Sequence, residues 1–158
     1  MQLEETVRKY TVVVADDEPV FCRQVARIID SEADVVRVCH SGKEVFDLVA
    51  HEKVDLVLLD LHLPDIHGLK ILEVLKAANS DTEVVIITGH SSIDTAVTAI
   101  QQGAGNYLCK PVKRHDLLIA VQTAREKVLL RRENRWLRES LERHEQSDGI
   151  IGQSHAVM

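Results

Sequence analysis

Aromatic side chains make up only 3% of this 158-residue chain. So few rings leave no stacking platform for single-stranded nucleic acid, and Val, Ile, Leu and Ala must build the core. The three cysteines, Cys22, Cys39 and Cys109, are an odd set without metal-ligand spacing. That argues against a disulfide or zinc framework and fits reduced thiols in a bacterial-type cytosol. No apolar run approaches the length of a membrane span, and no signal peptide opens the chain. Disorder is excluded by an apolar content of 45%. The length suits one domain with an appendage, large enough to bury a proper core.

Charge is unevenly spread. Residues 1–112 carry 10 basic and 18 acidic side chains, a net −8, whereas residues 113–158 carry 9 and 7, a net +2. The acidic front disfavours DNA or an anionic membrane as its direct partner. The mixed-charge back reads as a solvated helix.

Short apolar runs recur at residues 11–15, 35–39, 56–59, 84–87 and 107–109. They are continuous rather than alternating, which predicts strands covered on both faces and hence a parallel sheet. Helical patterns lie between them, over residues 19–30, 43–51, 69–78 and 93–101. Pro19 suits a first helical turn, Ser41 to Glu44 reads as a capping box, and Gly103 and Gly105 supply a stop. The expected fold is α/β, a (βα)5 doubly wound parallel five-stranded sheet of flavodoxin-like type, with an extended C-terminal helix. That helix begins near Arg114 and meets no breaker until Ser147-Asp148-Gly149. Leu117, Val121, Ala124 and Val128 give its first half a face for the sheet. Leu130, Asn134, Leu137 and Leu141 then keep a 4-3-4 spacing, a short coiled-coil seam with Asn134 as a register-fixing polar position.

In such a sheet every strand exposes its C-terminal end on one edge, where ligands bind. Asp16 and Asp17 follow strand one there, Asp60 strand three, Thr88 strand four and Lys110 strand five. Three converging carboxylates repel one another unless a divalent cation neutralises them, and hard oxygen donors suit Mg²⁺. A carboxylate beside Mg²⁺ can attack a phosphoryl donor and form an aspartyl phosphate. Lys110 can pair with one phosphoryl oxygen and Thr88 can hydrogen-bond another, with Gly89 leaving space beside it. Each residue alone is an ordinary turn or loop residue; their joint placement at four strand ends carries the reading.

The segments VVVADDEP, VDLVLLDLHLPDIHGL, VVIITGHSS and GAGNYLCKPV stand in order over residues 8–128. In this the chain resembles receiver domains of two-component response regulators. The resemblance implies that Asp60 is the phospho-acceptor and a sensor histidine kinase the donor. It implies that Asp17, Asp60 and the His62 backbone carbonyl bind Mg²⁺ directly, with Asp16 assisting through water. Thr88 and Tyr107 match the pair that reorients on phosphorylation, Lys110 the phosphate-contacting lysine, and the Lys110–Pro111 bond is expected to be cis. The segment RRENRWLRESLE and the tail IIGQSHAVM are similar to NtrC-type activators, the tail to the opening of their AAA+ domain. The chain stops before any phosphate-binding Gly-rich loop. The expected organisation is therefore a receiver at 8–128, a helical linker at 129–146 and the start of a truncated AAA+ domain at 147–158. It implies a cytoplasmic homodimer, through the receiver face, the linker helix or both. Sigma-54 RNA polymerase and DNA would be met only through absent domains, and a membrane not at all.

On this reading the chain is no enzyme beyond its own phosphorylation and dephosphorylation. The rivals are a Mg²⁺-dependent phosphotransferase or phosphatase with an Asp nucleophile, a flavodoxin-like cofactor carrier, and a constitutive dimerisation module. Asp16-Asp17-Glu18 would repel a cofactor phosphate, against the carrier. His62, His67 and His90 match no zinc spacing, and imidazole is unnecessary for Mg²⁺. His67 reads as a helix-start residue, while His62 and His90 could screen or position a hydrolytic water. Cys109 is expected to pack inward. Trp136 fits a dimer contact, an anchor for an absent domain, or simple exposure.

Overall fold

The computed structural model describes residues 8–79 and 81–151, with side chains through residue 144. Strands β1 (Thr11–Ala15), β2 (Val35–Cys39), β3 (Leu56–Leu59), β4 (Glu83–Thr88) and β5 (Asn106–Cys109) alternate with five helices. These are α1 (Pro19–Ile29), α2 (Gly42–His51), α3 (Gly68–Ala78), α4 (Ile93–Gln101) and α5 (Arg114–Ile151). A single 3₁₀ turn, Asp30–Glu32, follows α1. All strand pairs are parallel, in the order β2-β1-β3-β4-β5. The doubly wound (βα)5 sheet expected from the apolar runs is thus the fold observed.

Two compact units divide the chain. The first, Lys9–Val128, holds the sheet. Alternate residues of each strand face opposite sides, so β1 feeds two cores. Val13 and Ala15 join Val45 of α2, Ile71, Leu72 and Leu75 of α3 and Ala99 of α4. Val12 and Val14 join Cys22, Val25 and Ile29 of α1 and Leu117, Val121, Ala124 and Val128 of α5. Each fully buried aliphatic side chain contributes roughly 1.5–3 kcal/mol. Every residue of β1, β3 and β4 is buried, as two-sided cover requires. The edge strands differ: Val38 of β2 is 41% exposed, and Cys109 at the end of β5 is exposed rather than packed inward. An edge strand has a neighbour on one side only, so the helices cannot cover both ends of it.

The second unit contains Arg8 and α5 from Leu129 on. There the Arg132 guanidinium donates to the Arg8 carbonyl at 3.1 Å. Helix α5 runs straight through Ser147-Asp148-Gly149 to Ile151, past the expected stop. A glycine inside a helix costs about 1 kcal/mol relative to Ala, which weakens a helix without ending it. Residues 152–158, most of the tail read as the opening of an AAA+ domain, lie outside the described residues. Among the described residues no helix is long and apolar enough to cross a membrane.

Local signals fix the loops at the C-terminal edge. Ser41 caps α2 by accepting from the Glu44 N–H at 3.1 Å, but the Glu44 carboxylate turns to the His40 N–H, so the capping box closes one residue early. The carboxylate of Asp65, 23 residues further on, accepts from the N–H groups of Gly42 and Lys43 at 2.8 and 2.9 Å. These two bonds hold the Asp65 pKa below the usual carboxylate range. The loop after β3 is therefore anchored on the N-terminus of α2 and pinched by a bridge between His62 and His67. His67 caps α3, its Nδ1 accepting from the Leu69 N–H. Helix α3 starts so close to β3 that a Cβ on Gly68 would lie 2.6 Å from Leu61 Cα and 2.7 Å from the Asp60 carbonyl. Replacing Gly68 by Ala must push the α3 start off β3. Overpacking of this kind costs about 1–3 kcal/mol. The urea midpoint of Gly68→Ala is expected to fall accordingly with the slope unchanged.

Candidate phosphoryl-acceptor site

The strand order reverses direction between β1 and β3, and the crevice at such a point is where doubly wound sheets bind ligands. Asp16 and Asp17 leave β1 on one side of it and Asp60 leaves β3 on the other. Lys110, one residue past β5, reaches across β4 to both. Its Nζ donates to Asp16 Oδ2 at 2.6 Å and to Asp60 Oδ2 at 3.3 Å, and stands 3.7 Å from Glu18 Oε1. The Phe21 ring lies under the ammonium, 4.2 Å from centroid to Nζ. The Lys110–Pro111 peptide bond is cis.

Asp60 is buried, and Oδ1 accepts from the His62 N–H at 3.1 Å. Burial pushes its pKa up; the His62 N–H, the Lys110 ammonium and the Thr88 hydroxyl together outweigh this and leave it below the ordinary value. Asp16 is more deeply enclosed, with 2% of its side chain exposed, and there burial prevails over Lys110 and the Glu18 N–H, so its pKa is raised. Burial works against the Lys110 charge, yet the hydrogen bond and charge of Asp16, then Asp60, hold its pKa above the usual value. Thr88 is fully buried, and its hydroxyl oxygen accepts from the His90 N–H at 3.2 Å. Tyr107 is half-buried beside the α3 and α4 core with its hydroxyl enclosed.

Sequence reasoning thus brings together Asp16, Asp60, Thr88 and Lys110, with the His62 backbone at the rim. Asp17 is exposed, and its carboxylate clusters with those of Asp16 and Glu18, ligand atoms within 4.8 Å of one another; Asp60 stands apart from this cluster. Glu18, Phe21 and His40 are participants that the sequence reading did not assign. His40 Nδ1 lies 2.9 Å from the Asp16 carbonyl. Glu18 was legible from its adjacency to Asp16-Asp17. Phe21 was not, because only the first turn of α1 brings it under a lysine 89 residues away. The donor set is hard oxygen throughout, and an enclosed carboxylate with a raised pKa is one that a divalent cation would relieve. Both points fit Mg²⁺.

The two carboxylates make opposite contributions to acid stability. The Asp60 pKa is lowered by folding, so its contribution is complete above the unfolded value of about 4 and is lost as pH falls through the folded value. The Asp16 pKa is raised, so folding is favoured below its unfolded value and this advantage is lost as pH rises through the folded one. Urea titrations of the chain and of Asp60→Asn should show the stability difference growing in favour of the parent as pH rises towards about 4 and levelling above it. A pH-independent difference would contradict the assignment of an ionised, stabilised Asp60.

Residues 12–122 match the family model described as the response regulator receiver domain. The chain is 30% identical over 150 residues to the nitrogen assimilation regulatory protein NtrX of Azorhizobium caulinodans, covering 94% of this chain and 32% of that protein. It thus spans about a third of that curated relative's length. Its fold is similar to the receiver domain of a LuxO repressor protein from Vibrio parahaemolyticus, with a TM-score of 0.74 at 27% identity. That similarity covers 78% of this chain and 95% of the other. A beryllofluoride-activated NtrC4 receiver domain dimer gives a TM-score of 0.71 at 30% identity, over 75% and 98% of the two chains.

Proposed function

The chain belongs to the response regulator receiver domain family, and we propose that it is a phosphorylation-controlled switch with Asp60 as its phosphoryl acceptor. The observation that carries this is the setting of Asp60: a buried carboxylate on which a backbone N–H, a hydroxyl and an ammonium converge, lowering its pKa against the effect of burial. The same groups are placed to meet charge that spreads onto phosphoryl oxygens. An Asp60 oxygen attacks phosphorus, the O–P bond forms as the P–N bond to the kinase histidine breaks, and the imidazole leaves. Lys110 and Thr88 take the phosphoryl oxygens. Asp17, Asp60 and the His62 carbonyl would hold Mg²⁺, with Asp16 acting through water, and the ion would supply further neutralisation of phosphoryl charge. The protein is in this sense a signalling switch rather than a turnover enzyme.

Readout follows from bonds exchanged at the site. A phosphoryl oxygen competes for the Thr88 hydroxyl, and Thr88 moves towards it. Tyr107 follows in the space behind, and the face made by α4, β5 and the start of α5 repacks. The receiver at 8–128 would pass this change to the linker at 129–146. Residues 147–158 would open an AAA+ domain that acts on sigma-54 RNA polymerase, and through it on DNA, in the cytoplasm. The similarity to NtrX and to NtrC-type sequences supports this output. Asp60→Asn is expected to abolish labelling by acetyl phosphate or by a cognate histidine kinase, read by intact mass; retained labelling would sink the assignment.

The partner on α5 is proposed to be a second copy of the chain. Leu130, Leu137 and Leu141 are 64%, 47% and 62% exposed, at the spacing of a coiled-coil seam with Asn134 between them. The NtrC4 neighbour is itself described as a dimer. A Leu137→Glu, Leu141→Glu double variant should shift the light-scattering mass from dimer towards monomer without altering Asp60 labelling. An unchanged dimer would move the interface to the receiver face.

A further inference from the structure

The three histidines that show no metal spacing along the sequence meet in the fold. His62 and His67 stand in the loop after β3, and His90 in the loop after β4. The His62 and His90 ring centroids are 4.2 Å apart in an edge-to-face arrangement, and the His62 and His67 centroids 5.6 Å apart. All three side chains are exposed.

Their backbones are tied to the phosphoryl-acceptor site itself. The His62 N–H donates to Asp60 Oδ1, the His90 N–H donates to Thr88 Oγ1, and the His62–His67 bridge closes the loop. The rings are not equivalent. His67 commits Nδ1 to capping α3, so as a neutral ring it carries its proton on Nε2 and offers no lone pair to an ion. Neither ring nitrogen of His62 or of His90 makes a hydrogen bond among the described residues. Two adjacent imidazoles with uncommitted nitrogens, on loops held from below, lie beside a crevice whose own donors are all oxygen.

We propose that His62 and His90 chelate a d-block divalent cation, such as Zn²⁺ or Cu²⁺, at the rim of the Asp60 crevice. Imidazole nitrogen suits these borderline cations, whereas carboxylate and carbonyl oxygen suit Mg²⁺, so donor chemistry separates the two sites. With both rings exposed and their centroids 4.2 Å apart, one nitrogen from each is within reach of a shared ion, with water completing its shell. Since both rings belong to residues whose N–H groups bind Asp60 and Thr88, the bound ion adds bulk and positive charge where a phosphoryl donor enters. Zinc would therefore slow acceptance at Asp60, a consequence that rests on Asp60 being the acceptor; the chelate itself does not.

Isothermal titration of the chain with Zn²⁺, in Mg²⁺ sufficient to fill the oxygen site, tests the chelate without using phosphorylation. One ion per chain is expected. His62→Gln and His90→Gln should each weaken binding by at least about tenfold, the lower end of what losing even an outer partner of a metal ligand costs. His67→Asn, which keeps a capping side chain, should leave affinity unchanged. Cu²⁺ should show nitrogen hyperfine coupling in the parent spectrum and lose it when both rings are replaced. Equal Zn²⁺ affinity in the parent and both Gln variants overturns the chelate, as does binding lost in Asp17→Asn but kept in those variants. With acetyl phosphate, Zn²⁺ should slow labelling of the parent and not of His62→Gln, His90→Gln; equal slowing of both would overturn the rim placement.

Discussion

One ammonium group links three strand ends. Lys110 leaves β5 and crosses β4 to bind Asp16 beyond β1 and Asp60 beyond β3. Without the cation, two carboxylates enclosed at one sheet edge would repel each other in a medium far less polar than water. With it, their environments divide. Asp16 takes the shorter bond and the deeper burial, and resists ionisation; Asp60 takes the longer bond and two further donors, and favours it. Lys110 is held more closely on Asp16 than on Asp60, at 2.6 against 3.3 Å.

The fold supplies the strand ends, but carboxylates elsewhere make them rigid. Asp34 accepts from the Tyr10 N–H at 2.7 Å and Asp55 from the Thr11 N–H at 2.8 Å, fixing where β1 begins. Asp65 does the same for the first turn of α2. Part of the net −8 of residues 1–112 is therefore the means of satisfying backbone N–H groups that parallel strands and helix starts leave open. Acidic composition, which at first only disfavours nucleic acid as a partner, turns out to be partly structural and partly chemical.

The sheet was legible because its signal is periodic and local. Five short apolar runs of three to five residues could hardly be read otherwise, and each of the first four predicted helices lies within a residue of the observed one, whereas α5 runs past its expected stop. The edge strands were misjudged in burial, since periodicity reports which faces of a strand are apolar and not whether a neighbour exists to cover them; Cys109 is the case in point. Asp16, Asp60 and Lys110 were legible because each immediately follows a strand, and Thr88 because it ends one, so topology alone brings them to one edge. Phe21 under Lys110, Asp65 on α2 and the His62–His90 pair were not, because each depends on how loops fold over that edge, and loop geometry has no period to read.

The proposed His62–His90 site lies outside the reach of spacing rules for metals. A zinc motif read along a chain assumes that ligands come from one hairpin or one helix, so that a fixed number of residues means a fixed distance. In a parallel sheet, residues two or three positions past the ends of adjacent strands become neighbours however many residues the crossover contains. His62 and His90 are 28 positions apart in the chain, yet each sits two residues beyond a side chain of the same site. The crossover sets their separation in sequence, and the sheet sets their separation in space. Donor sets at such an edge are therefore better sought by counting from strand ends than by counting between ligands.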